Sequence, residues 1–140
     1  MTDLTDRRAF NANIVDEFRA NRGKVGGPFE NATLLLLTTT GAKSGQPRIS
    51  PLAYFSIDDR ILVAGSNAGG DVHPAWVHNL RAEPRAHVEV GTTSYDVIAR
   101  ELPTAERDEL YPKVAEIAPV FAEYQAKTSR LIPLFELQKA

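Results

Sequence analysis

Apolar residues near the N-terminus recur at helical spacing. Phe10, Ile14 and Phe18 follow one another every four residues, with Val15 beside them. Asp6 to Arg22 is therefore expected to be an amphipathic helix. Asp6 can cap its start, and Gly23 stands at its end. Gly26, Gly27 and Pro28 then forbid a regular element. Such a helix can lie on a membrane surface. Packing on its own domain is the commoner use.

From Thr33 the period changes. Thr33 to Thr40 has the continuous apolar centre of a strand buried on both faces. Gly41 to Gly45 reads as a turn. From Arg48 onward, Ile49, Ala53, Phe55 and Ile57 share one parity, and Arg48, Ser50 and Tyr54 the other. A period of two predicts a strand. Asp58-Asp59 makes a tight reversal, and Ile61 to Ala64 is the next strand. His73 to Arg81 reads as a short helix with Pro74 in its first turn and Pro84 beyond its end. Ala86, Val88 and Val90 alternate with His87 and Glu89, and Gly91-Thr92-Thr93 links them to Ser94 to Leu102 as a hairpin. Thr104 is expected to cap a helix with Leu110, Val114 and Ile117 on one face, and Pro112 to kink or break it. Pro119 to Ser129 reads as a second helical piece, and Ile132 to Leu137 as a closing strand. Five or six strands with short reversals favour antiparallel pairing and closure. The expected fold is an α+β domain built on an antiparallel barrel.

Composition narrows the function classes. The chain has 140 residues, enough for a single domain over 1–140 with its own core. It has no cysteine, which excludes disulfides, a thiol nucleophile and thiolate metal sites. Its formal net charge is −2, so nucleic acid is not an expected partner. The longest strictly apolar run, Leu34 to Leu37, is far short of the roughly 20 residues of a membrane span. Met1 to Arg8 is polar and charged, without a stretch of signal-peptide character. The expectation is a soluble, cytoplasmic protein.

Two loops are candidates for chemistry. In Gly41-Ala42-Lys43-Ser44-Gly45-Gln46-Pro47-Arg48, the glycines permit a tight turn, and Lys43, Ser44 and Arg48 add two cations and a hydroxyl. That set suits a phosphate or carboxylate; a solvated hairpin tip is the commoner use of the same turn residues. A strand-like alternation follows, so the loop is not a Walker A motif. In Ala64-Gly65-Ser66-Asn67-Ala68-Gly69-Gly70, small residues let a flat ring approach the backbone. The alternative is a connector before a helix whose Trp76 is simply core. His73 and His78 are five apart and do not share a helix face; with His87 they make a poor metal set, and no metal is expected. Ser66 is not in a Gly-x-Ser-x-Gly elbow. Asp58 with Asp59 and Asp16 with Glu17 read as a turn and a polar helix face, and there is no Gly-x-Gly-x-x-Gly.

In order and spacing, three motifs resemble the deazaflavin-dependent nitroreductase family, within the flavin/deazaflavin split β-barrel superfamily. They are Thr38-Thr39-Thr40-Gly41-x-Lys43-Ser44-Gly45-Gln46-Pro47-Arg48-x-x-Pro51-Leu52, Val63-Ala64-x-Ser66-x-x-Gly69-Gly70, and Pro74-x-Trp76-x-x-Asn79-Leu80-x-Ala82-x-Pro84. The resemblance implies a split antiparallel barrel (FMN-binding-like) with flanking helices, and the deazaflavin coenzyme F-420, with its phosphate and oligoglutamate tail, as cofactor. FMN is the runner-up. It implies that Ala42, Lys43, Ser44, Gly45 and Arg48 meet the phosphate and tail. Ile49, Ser50, Pro51, Leu52 and Ala53 would run along the coenzyme. Ala64, Gly65, Ser66 and Asn67 would approach the ring, and Ala75, Trp76, Val77, His78 and Asn79 would close the other side.

The implied reaction is hydride transfer from the reduced coenzyme to an electron-poor small molecule: a quinone, a conjugated carbonyl or unsaturated lactone, or a nitroaromatic. Ser66 and Tyr124 are the candidate catalytic donors, and Phe121 and Tyr124 the candidate acceptor contacts. Nitroreducing relatives place a tyrosine where this chain has Phe121, often a lysine at Asn67 and an aromatic at Lys127. Phe121 is expected to stack on the acceptor without donating a proton. Three other readings share the sequence: an FMN enzyme, a non-catalytic deazaflavin carrier, and a quinone reductase held at the inner face of the membrane by its N-terminal helix. Both a monomer and a homodimer are compatible with it.

Overall fold

The computed structural model describes residues 13–21 and 33–140. Asp6, Phe10, Gly23, Gly26, Gly27 and Pro28, which belong to the start of the expected first helix and to its end, lie outside the described residues. Residues 13–20 form helix α1. Seven strands follow, β1 (Leu34–Thr40), β2 (Pro47–Ala53), β3 (Phe55–Ile57), β4 (Arg60–Ala64), β5 (Arg85–Val90), β6 (Thr93–Glu101) and β7 (Leu134–Lys139). Helix α2 (Ala75–Ala82) stands between β4 and β5, and α3 (Thr104–Ile117) and α4 (Val120–Lys127) between β6 and β7. All strands join one antiparallel sheet in the order β2-β1-β5-β6-β7-β4-β3.

That order and the chain connectivity together force the sheet to curl. β2 and β3 are the two outer strands, yet only Tyr54 separates Ala53 from Phe55. One residue spans only about 7 Å from Cα to Cα on either side, so the two edges must meet. The result is a half-barrel split at Tyr54. The single strand expected from Arg48 to Ile57 keeps its alternation but changes partner there, from β1 to β4. This exchange of partners is why the described residues form seven strands rather than five or six.

Alternation then assigns the faces. Leu35, Leu37, Val63, Val88, Val97, Ala99, Phe135 and Leu137 form the barrel interior, which α2 plugs with Trp76, Val77 and Leu80. On the outer face, α3 covers Phe55, Ile57, Leu62 and Leu134 with Leu110, Tyr111 and Val114. α1 covers Leu34 and Leu36 with Ile14, Val15 and Phe18. The all-leucine centre of β1 is thus explained: one parity faces α2 and the other α1. Asp58 and Asp59, both at positive φ (53° and 62°), make a two-residue hairpin turn whose twist matches the strands.

Several local expectations are corrected. The N-cap of α3 is Pro103, not Thr104, and Thr104 makes no side-chain cap bond. The helix runs unbroken through Pro112, which is on the exposed side, where water can take the carbonyl that the missing N–H leaves. Ile117 is 59% exposed; the buried face is instead Arg107, Leu110, Tyr111 and Val114. α2 begins at Ala75, with Pro74 at the cap. β7 starts at Leu134, two residues later than expected: Pro133 faces Gly65 and accepts its N–H but has no N–H to return, and the ladder ends there.

Candidate active site

The basic loop is a built turn. The Gly41 N–H donates to Gln46 O (2.8 Å), and the Gly45 N–H donates back to Gly41 O (2.9 Å). Gly45 sits at φ +70°, which a Cβ would strain. The Ser44 hydroxyl accepts the Gln46 N–H at 3.1 Å and lies 3.4 Å from Arg48 Nη2. Lys43 and Arg48 are exposed, and neither forms an ion pair among the described residues.

α2 holds this loop from below. The buried Asn79 accepts the Ala42 N–H on Oδ1 (2.9 Å) and donates Nδ2 to the Thr39 hydroxyl (3.1 Å). Its amide is therefore spent on shaping the turn. Four residues back, about 6 Å along the helix axis, Ala75 opens α2 beside the Gly-rich loop. The helix thus bridges the two loops that the sequence singled out.

β2 supplies the remaining wall. It pairs only with β1, so one row of its backbone groups faces away from the sheet. Register places Arg48, Ser50 and Leu52 on the α2 side, opposite Thr39, Leu37 and Leu35. Ile49, Pro51 and Ala53 are on the α1 side, so only their backbone borders the same groove. Of the α2 candidates, Ala75 and His78 are exposed. Trp76 and Val77 are buried in the barrel core, Trp76 edge-on to Phe135 with centroids 5.7 Å apart.

The Gly-rich loop turns through a short 3-10 segment, Asn67–Gly69, with Asn67 (φ 45°) and Gly69 (φ 82°) in the left-handed region. α4 packs directly on it. A Cβ on Gly69 would lie 3.0 Å from Tyr124 O and 3.1 Å from Tyr124 Cα. Gly69→Ala is expected to cost more than about 1 kcal/mol, a fall of roughly 2–4 °C in Tm for a chain of this size. A thermal melt checks it; an unchanged Tm would mean that α4 does not sit against this turn.

This contact brings Tyr124 to the Ser66 loop. Phe121, Tyr124 and Phe55 form an edge-to-face chain, with centroids 5.1 and 5.3 Å apart. No side chain of α4 is fully buried. Polar bonds hold the helix instead: Tyr111 Oη donates to Phe121 O (2.7 Å), and Gln125 accepts the Ile132 N–H (3.0 Å) and donates to Arg130 O (2.8 Å). The Gln125 carbonyl also accepts from Arg107, a buried cation that donates Nε to Ile132 O (2.8 Å) and stacks over Tyr111 at 4.2 Å. Burial pushes the Tyr111 hydroxyl up, and the neighbouring Arg107 and Arg130 partly offset it.

Sequence reasoning missed Arg107, Gln125 and Arg130. Arg107 alone left a signal, since it stands three and seven residues before Leu110 and Val114 on the buried face. A shallow concavity of about 460 Å³ adjoins the basic turn at Thr39 and Gly45, beside the cross-strand pair of His87 and Asp96 at 2.8 Å. It borders Thr40 and Pro47 but neither Ser66 nor Tyr124.

A sheet curled until its edges meet, with a cationic turn at one edge that has no ion-pair partner among the described residues, is a split half-barrel. Residues 11–139 match the family described as F420H(2)-dependent quinone reductase, and the chain belongs to that family. The F420H(2)-dependent quinone reductase Rv1261c of Mycobacterium tuberculosis (strain ATCC 25618 / H37Rv) is 35% identical over 128 residues, 87% of this chain and 85% of that one. A solved F420-H2 dependent reductase, FDR-A, is 39% identical with a TM-score of 0.68, covering 76% of this chain and 94% of its own. Another solved chain, described as a domain-swapped dimer, is 34% identical with a TM-score of 0.70, covering 97% of this chain and all (100%) of its own. No helix among the described residues is long and apolar enough to cross a membrane.

Proposed function

We propose that this protein transfers a hydride from reduced coenzyme F-420 to a quinone, with the coenzyme lying in the groove between β2 and α2. The observation that carries the reading is the built cationic turn. Lys43 and Arg48 have no carboxylate partner among the described residues, and Asn79 fixes the backbone between them and the core. Two such cations fit a phosphate and a polyanionic tail. When bound, the deazaflavin supplies two-electron hydride chemistry.

The chain's own residues bind and orient. Lys43 and Arg48 would hold the anionic end. Leu52 and the backbone of Pro51 would lie along the ring system, and the small residues Ala64 and Gly65 would leave room for it. Ser66 and Tyr124 would be the hydroxyls that donate to the acceptor oxygen as negative charge develops there. Phe121, wedged between Phe55 and Tyr124, would give the acceptor an apolar wall and no proton. The domain-swapped relative supports a dimer for this chain, and the substrate is a small molecule.

The test titrates the protein with oxidised coenzyme F-420, FMN and FAD, following fluorescence. Selective deazaflavin binding is expected. The Lys43→Ala, Arg48→Ala double variant should lose at least about tenfold, since two charge-assisted contacts go. Affinity should weaken as salt rises, because exposed charges are screened over about 10 Å at 0.1 M. Tight FMN binding, or none of the three binding, would overturn the assignment.

A further inference from the structure

Arg130 spends four hydrogen bonds on one loop. Nε donates to Gly70 O (2.8 Å), Nη2 to Ser66 O (2.7 Å), and Nη1 to Gly65 O (3.0 Å) and His73 Nδ1 (2.9 Å). Thr128, two residues earlier, donates its hydroxyl to Asp71 Oδ1 at 3.0 Å. The side chains of Thr128 and Arg130 thus grip the loop from Gly65 to His73, while the backbone of Arg130 and Ile132 is tied to Gln125 and Arg107. Desolvating a guanidinium has a cost, and burial lowers the Arg130 pKa accordingly. A surface tie would not need four acceptors converging on a half-buried cation.

The geometry has a consequence on the opposite side of the backbone. A trans peptide points its C=O and the following N–H in opposite directions. Arg130 draws the carbonyls of Gly65 and Ser66 toward itself. The N–H groups of Ser66 and Asn67 are therefore turned away from Arg130, and neither is used in a hydrogen bond among the described residues. The cation behind them also polarises both peptides and strengthens them as donors.

We propose that Arg130 is the positioning residue of the coenzyme ring site, locking the Gly65–His73 loop so that the Ser66 and Asn67 amides face the ring, with His73 as the titratable member of the lock. The inference rests on the reading that the deazaflavin ring lies against this loop. His73 completes the lock only as the neutral imidazole, because Nδ1 must accept from Arg130. The charged groups facing it are Arg130, Arg81 and His78, which oppose its protonation, and Glu101, which favours it. Burial acts with the cations, and the imidazole is held below its ordinary value. Its protonation is thus easier in the open loop than in the locked one. The lock is fully present above the ordinary imidazole value of about 6.5 and is lost as the pH falls from there through the lower value of the locked imidazole. Arg19 and Arg81 hold Glu89 and Glu101 low through hydrogen bonds, so those carboxylates stay charged in this range.

The experiment compares wild type, Arg130→Met, Arg130→Lys and His73→Asn in binding oxidised coenzyme F-420 and its tail-less deazaflavin, from pH 7.5 to 5.5. Arg130→Met should lose at least about tenfold for both ligands (about 1.4 kcal/mol). Arg130→Lys should recover part of it, since three donors on one nitrogen cannot span four acceptors. The Lys43→Ala, Arg48→Ala variant should lose affinity for the tailed coenzyme alone. His73→Asn, whose amide oxygen can still accept, should bind like wild type at pH 7.5 and abolish the wild-type weakening toward pH 5.5. A folded Arg130→Met protein binding within twofold of wild type would overturn the proposal. If Arg130→Met fails to fold, the His73→Asn pH profile decides: a decline equal to wild type overturns it, and a flat one supports it. A wild type that binds neither deazaflavin at pH 7.5 would instead fail the underlying assignment.

Discussion

Arg107→Met is expected to lower stability by about 2–5 kcal/mol, the largest single effect outside the apolar core. The methionine keeps the apolar stem but leaves Ile132 O without its donor and takes from the Gln125 carbonyl its charged donor, leaving it only the Ile132 N–H. Ile132 is fully buried, so no water replaces the bond; the orphaned acceptor costs about 1–3 kcal/mol, and the lost charge-assisted bond to Gln125 adds about 1–2 kcal/mol. Against a total of roughly 5–15 kcal/mol this is a large fraction. Tm should fall by about 5–15 °C in a calorimetric scan. The functional consequence separates two sites. α4 has no buried side chain of its own and is held through Gln125 and Tyr111. Loosening it disturbs Phe121 and Tyr124 while leaving Lys43 and Arg48 in place. Quinone reduction should fall at least about tenfold in kcat/KM, with deazaflavin affinity within about twofold of wild type. A Tm within 2 °C of wild type would show that Arg107 is not the anchor of α4.

The second large effect falls on the opposite loop. Asn79→Leu removes the acceptor for Ala42 N–H and the donor to Thr39. Ala42 is exposed, so water can take up its N–H, whereas Thr39 is buried. The expected cost is about 1–3 kcal/mol, set by the buried hydroxyl. The turn carrying Lys43 loses its tie to the core, and coenzyme affinity should drop by about tenfold or more. Asn79→Asp sharpens the test. Its carboxylate still accepts from Ala42 N–H, and the Thr39 hydroxyl can donate to it, so stability should be closer to wild type. It nevertheless places a negative charge beneath an anion site, so affinity for the tailed coenzyme should fall while the tail-less deazaflavin binds nearly as before. Equal losses for both ligands would place the anionic tail elsewhere.

The two basic-loop cations and the Gly-rich stretch were legible because their signals are local. A turn needs its glycines within a few residues, and a phosphate site needs its cations close by in sequence or in space; here they are close in sequence. The same holds for the alternation in β5 and for the Asp58-Asp59 reversal. The parity of Ile49, Ala53, Phe55 and Ile57 was also readable, but not the fact that two different helices cover one strand face.

What the sequence by itself determined, then, is the period of each segment, the tight turns and the chemistry available at their tips, because these depend on neighbours a few residues apart. The tertiary structure alone decided which loops share a groove and what holds them. Arg130 meets its acceptors 57 to 65 residues away, Arg107 meets Ile132 at a separation of 25, and Asn79 meets Ala42 at 37. No periodicity records such pairings. They exist because the sheet curls until β2 meets β3, and a buried polar group must find whatever partner that closure brings within reach.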